Sequence, residues 1–146
     1  MIVGFNLKSI EAKVFDKKID GPVNVNTVPS IESMEKKDIG LSLKDILAVT
    51  FNFKTTYEPR IGEINISGEV LYQSPEAKEI LKKWTSEKKL DEKLGVEVLN
   101  AIMRKCMTKA IEISDELRLP PPIQFPIVTT KQATEGKKEE TTDEEE

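Results

Sequence analysis

Three consecutive prolines, Pro120 to Pro122, set the firmest limit on this chain, because they cut off its longest apolar repeat. From Gly95 onward, Val98, Leu99, Ile102, Met103, Cys106, Met107, Ala110, Ile111 and Leu117 recur at spacings of three, four and seven. That period places them on one stripe of a helix of about six turns, with Glu97, Lys105, Lys109, Glu112 and Glu116 mostly on the other side. Such a stripe must lie against another apolar surface. The prolines then forbid any continuation and favour an extended, polyproline-like path. Leu119, Ile123 and Phe125 ride on this stiff strap. Two readings of the strap follow: a segment that seals the core, or one apolar wall of a binding groove.

The sequence upstream alternates instead of repeating helically. Val3, Phe5 and Leu7 alternate with polar neighbours, and Ile10, Ala12 and Val14 alternate in the opposite phase. This predicts a long strand over 2–15 with a bulge or bend near Lys8–Ser9 that turns its second half to another surface. Asp20-Gly21-Pro22 is turn chemistry. Val23, Val25, Val28 and Ile31 predict a second strand, and Pro29 within it argues for an edge position or a bulge. Met34 to Lys44 is charged, contains Gly40 and reads as a loop. The clearest strand is Asp45 to Tyr57, with Leu47, Val49, Phe51, Phe53 and Tyr57 on one side. A turn at Glu58-Pro59-Arg60 leads into its hairpin partner, Ile61 to Tyr72, whose apolar side carries Ile64, Ile66, Val70 and Tyr72 and is interrupted by Gly68. Ser74-Pro75-Glu76 has the chemistry of a helix start, with Ala77, Ile80, Leu81 and Trp84 along one face of a short helix ending near Lys88. For Trp84, anchoring on the core competes with a stacking platform beside Lys82 and Lys83.

The predicted fold class is therefore α+β: a four-stranded antiparallel sheet, read as a meander, with two C-terminal helices packed on one face. Ile2, Ile46, Ala48, Ile61 and Leu71 soften the other face, which points to burial by association. Residues 1–128 form one domain, and Thr129 to Glu146 has one alanine and no larger apolar residue, which predicts a disordered acidic tail. The tail holds three lysines and seven acidic residues; removing these from the chain's 22 basic and 26 acidic residues leaves 19 of each. A neutral body gives no electrostatic case for nucleic acid or an anionic membrane surface.

Other chemistry is excluded by composition. The chain has no histidine, so His-based acid–base catalysis and Ser/His or Cys/His nucleophile pairs are ruled out. With one cysteine and no histidine, a structural zinc site has no ligand set. No phosphate-cradling glycine motif is present, and Asp115 with Glu116 reads as a solvated helix end. Cys106 lies on the apolar helix stripe and reads as a small buried hydrophobe. The expectation is a non-enzymatic protein without cofactor or metal. A single cysteine, no apolar run long enough to span a membrane and no signal-like segment in Met1 to Leu7 fit a cytoplasmic location without membrane insertion.

Three strings resemble the SecB family of export chaperones: Phe5-Asn6-Leu7-Lys8-Ser9-Ile10 onward to Phe15, Arg104-Lys105-Cys106-Met107-Thr108, and the proline-interleaved Leu119 to Phe125. The resemblance covers residues 4 to about 128. It implies an α+β subunit assembling as a homotetramer, a dimer of dimers, that holds unfolded or pre-secretory polypeptides in apolar grooves without ATP. It further implies a groove lined by Val25, Val28 and Ile31 and by Leu119, Ile123 and Phe125. The family also includes chaperones of antitoxins, so a partner-specific module of the same fold is the alternative, and a small apolar-ligand carrier is a third reading. The Lys/Glu/Thr tail departs from the motor-docking segment of the bacterial family members and suits a solubilising brush. This departure leaves open whether a SecA-type motor or another receptor is the handover partner.

Overall fold

The structure, a computed structural model, describes residues 1–15, 21–38, 40 and 44–124. Four strands, β1 (Ile2–Val14), β2 (Asn24–Lys37), β3 (Ile46–Glu58) and β4 (Gly62–Gln73), precede two helices, α1 (Ala77–Glu87) and α2 (Glu92–Glu116). The strands form one antiparallel sheet in the order β1-β4-β3-β2. The expected sheet and its two C-terminal helices are present. The meander itself runs through β2, β3 and β4, while β1 lies beside β4 in a Greek-key arrangement.

β3 and β4 fill the centre because both are apolar toward the helices. Leu47, Val49, Phe51, Phe53 and Tyr57 are buried there together with Ile64, Ile66, Val70 and Tyr72. The turn between them is closed by the Ile61 amide donating to the Tyr57 carbonyl at 3.0 Å, and the Glu58–Pro59 peptide is cis. α2 starts earlier than the apolar repeat indicates. The Asp91 side chain accepts from the Leu94 amide at 3.1 Å and caps it. Apart from Gly95, its buried residues, Leu94, Val98, Ile102, Cys106, Ala110 and Ser114, recur every fourth position. Burial pushes the Cys106 thiol up to about 11 against the pull of Lys105, as suits a packed side chain rather than a nucleophile. α1 begins at Ala77, two residues after Pro75, with the Ser74 hydroxyl accepting from the Glu76 amide at 3.2 Å. Trp84 is half-buried against the core, and Lys88 Nζ lies 5.5 Å from its ring centre, so it anchors the helix.

Three expectations are corrected. The irregularity at Lys8 exists, between the Leu7 and Ser9 pairings, but it does not turn β1 to another surface. It absorbs the phase change of the sequence: Leu7 faces Gly68, Ile10 faces Ile66 and Ala12 faces Ile64, so both halves point toward the helices. A second irregularity between Ile2 and Gly4 sends Ile2 toward the helices and Val3 to the open face. Met34 to Lys37 is strand, not loop. A bulge between Ile31 and Ser33 returns Met34 to the helix side, opposite Val49, where it is buried. Pro29 does sit on an edge strand.

Ile46, Ala48 and Leu71, with Val3 against them, form a small second cluster on the open face, whereas Ile61 belongs to the main core. Beside this cluster Glu69 is 6% exposed, accepting from Lys37 Nζ at 2.9 Å and Lys8 Nζ at 3.4 Å. The hydrogen bond from Lys37, reinforced by the charge of Lys8, outweighs desolvation and holds the Glu69 carboxyl below its ordinary 4.5. The stabilisation is complete above that ordinary value and is lost as pH falls through the lower, folded one. Denaturation of wild type and Glu69→Gln at a series of pH values checks this: the wild type is expected to lead at neutral pH, its lead to shrink once pH falls below 4.5, and to vanish below the lower folded value. A lead that persists into acid would assign the difference to packing instead.

Candidate functional site

The helices do not cover the sheet evenly. On the helix side of β1, Ile2, Phe5, Leu7, Ile10, Ala12 and Val14 make an apolar ladder. Its first rungs are tucked under α2, but Ile10 is 46% and Val14 39% exposed. β1 is an edge strand, and among the described residues no strand pairs with its outer side. From Ser9 to Val14 its pairing with β4 is regular. The opposite edge is blunted by Pro29, the bulge after Ile31 and the charged run from Glu35 to Lys37. An extended polypeptide can therefore add to β1 by main-chain hydrogen bonds while its alternate side chains meet exposed Ile10 and Val14.

Farther along the same edge, a slot of about 430 Å³ opens between β1 and α2. Ile2, Phe5 and Ala101 form its floor, and Arg104, Lys105, Thr108 and Lys109 its wall. Lys105 Nζ sits 5.2 Å from the Phe5 ring centre, within cation–π range. At the Met1 end, Glu97 accepts from the Ile2 amide at 3.3 Å and lies 3.7 Å from the terminal ammonium. This carboxylate closes off the edge where β1 begins. Among the described residues no group of three or more metal-ligating side chains assembles, and no helix is long and apolar enough to cross a membrane.

The groove expected on β2 and the strap does not come together as read from the sequence. Val25 and Ile31 face the helices, opposite Tyr57 and Phe51, and are half-buried against the core. Val28, opposite Lys54, points to the other face and is 51% exposed. Leu119 is buried, its methyls within 3.3 Å of where a Cβ on Gly62 would lie. It seals the core, the first of the strap's two readings. Ile123 is exposed, and Phe125 lies outside the described residues. The exposed rungs Ile10 and Val14 were visible in the sequence as an alternating set; the bulge that returns them to the helix side was read with the wrong outcome.

A four-stranded antiparallel sheet in this order, backed by a long C-terminal helix and a shorter one, is a SecB-like fold. Among solved structures, the chain is similar to the Mycobacterium tuberculosis Rv1957 SecB-like chaperone in complex with a ChAD peptide from the Rv1956 HigA1 antitoxin. The two share 12% identity with a TM-score of 0.54, over 88% of this chain and 90% of that one. No protein-family model and no curated protein matches the sequence.

Proposed function

We propose that this protein is an ATP-independent chaperone that holds extended polypeptide along β1, without catalytic chemistry or cofactor. The carrying observation is the exposed half of the apolar ladder, Ile10 to Val14, on an edge strand whose outer side is paired by no strand among the described residues. Strand addition suits a holdase because main-chain pairing reads no particular sequence, while apolar rungs favour chains that have not yet buried their own. The likeness in fold to a chaperone solved in complex with a peptide supports the same reading. Cytoplasmic action on unfolded or pre-secretory chains, in a dimer of dimers, completes it.

The test is suppression of aggregation. Stoichiometric full-length protein is expected to keep a chemically denatured client soluble on dilution, without nucleotide, with light scattering from the client as the readout. Failure across several unrelated clients rejects the general holdase. The mass of the protein alone, from multi-angle light scattering, is expected to be that of a tetramer. A single-partner chaperone is the second reading, favoured by the antitoxin peptide on the structural neighbour. Capture of one dominant partner, with no activity on denatured clients, would select it.

A further inference from the structure

We propose that the slot between β1 and α2 selects polypeptide segments in which an apolar anchor is flanked by carboxylates. This rests on the polypeptide-binding reading above and adds to it a preference in charge. The helical side of the slot is one stripe of α2: Ala101 in the floor and Arg104, Lys105, Thr108 and Lys109 in the wall stand at spacings that bring them to the same side of a helix. Three of the five are cationic, and none of the residues lining the slot is acidic. Lys109 has a loose partner in Glu112 at 3.8 Å, with both side chains well exposed, while Arg104 and Lys105 have no carboxylate within bridging distance among the described residues. The acidic side chains of this helix are grouped toward its two ends, with Asp91, Glu92 and Glu97 at its start and Glu112, Asp115 and Glu116 in its last turns. An incoming carboxylate is therefore drawn to the middle of α2 and repelled from its start.

The floor decides what else the occupant must carry. Ile2, Phe5 and Ala101 offer apolar surface that a purely acidic chain leaves unfilled. The chain's own acidic run after Lys131 has nothing larger than Ala133 with which to fill it. A nucleic acid finds no open aromatic platform, because Lys105 stands over the Phe5 ring. The occupant that satisfies both halves is a partner segment with a Leu- or Phe-type anchor beside Asp or Glu, running along the β1 edge.

Fluorescence anisotropy with the full-length protein tests this, using labelled peptides that share one Leu-Phe-Leu anchor and differ in Glu, Ser or Lys flanks. The Glu-flanked peptide is expected to bind about tenfold tighter than the Lys-flanked one, the sum of a few exposed charge contacts. That gap should close at about 0.5 M salt. In Arg104→Glu/Lys105→Glu the order should reverse. In Arg104→Gln/Lys105→Gln, which keeps side-chain bulk should the charge reversal disturb folding, the peptides should bind alike. Equal binding of all three peptides to the wild type would overturn the charge preference and leave polypeptide binding standing. No binding by any peptide would remove both readings. If a free peptide of residues 131–146 displaces the probe as well as the Glu-flanked peptide does, the occupant is the chain's own tail and the partner assignment is overturned.

Discussion

Phe51→Ala is expected to lower folding stability by about 3–5 kcal/mol, a large share of the ~5–15 kcal/mol that holds a domain together. Phe51 is fully buried on the helix side of β3, opposite Ile31 on β2 and Gly68 on β4. Its ring reaches across Gly68, where an added Cβ would stand 2.9 Å from Phe51 Cζ, and meets Phe5 of β1 with ring centres 5.2 Å apart. One side chain thus fills the space over a central strand and touches the edge strand beyond it. Gly68 cannot grow to refill that space, because its Cβ would also collide with the Asn6 carbonyl of β1. Gly68→Ala should therefore fail to rescue Phe51→Ala and should add its own penalty. Urea denaturation with an unchanged slope checks both. A loss below about 1 kcal/mol would mean that half-buried Phe5 and Leu7 collapse into the gap, placing the site near the soft end of the cavity scale.

Much of this architecture is legible in local sequence because its signals are local. The prolines after Leu119 stop α2 within a few residues of the predicted place, and the helical stripe names its buried face. The alternation in β3 and β4 separates core from solvent, and Pro29 marks an edge strand. The remainder depends on long-range pairing. That β1 docks on β4 is decided across the sheet, by Ile10 meeting Ile66 and Phe5 meeting Val70, and no local pattern records it. Bulges are the second obstacle. A phase change in alternation has two outcomes, a strand that turns over or a bulge that cancels it, and only the partner strand distinguishes them. The bulge at Lys8 returned Ile10 and Val14 to the helix side, and the one after Ile31 carried Met34 into the core. The candidate site inherits both difficulties. Leu119 was as apolar as a groove residue needs to be, but its position against Gly62 made it part of the core.

Ile10→Asp/Val14→Asp is expected to weaken client binding about 100-fold, from two apolar contacts of roughly 1 kcal/mol each and the desolvation of two carboxylates. Both residues lie on the helix side of the regular half of β1, and each keeps more than a third of its surface exposed. The cost in stability should therefore stay near 1 kcal/mol per site, far below that of a core truncation. The matched control is Glu11→Ser/Lys13→Ser, which alters the opposite face of the same strand segment, across from Asn65 and Glu63, and should bind clients like the wild type. Comparing the two pairs separates side-chain recognition from strand disruption, since both change the same length of edge. Mass in solution supplies the third axis. If the Asp pair loses its clients and remains a tetramer, the ladder grips polypeptide from outside the assembly. If clients and tetramer are lost together, the same rungs meet a second copy of the chain, and the holding surface must then be sought elsewhere on the assembled protein.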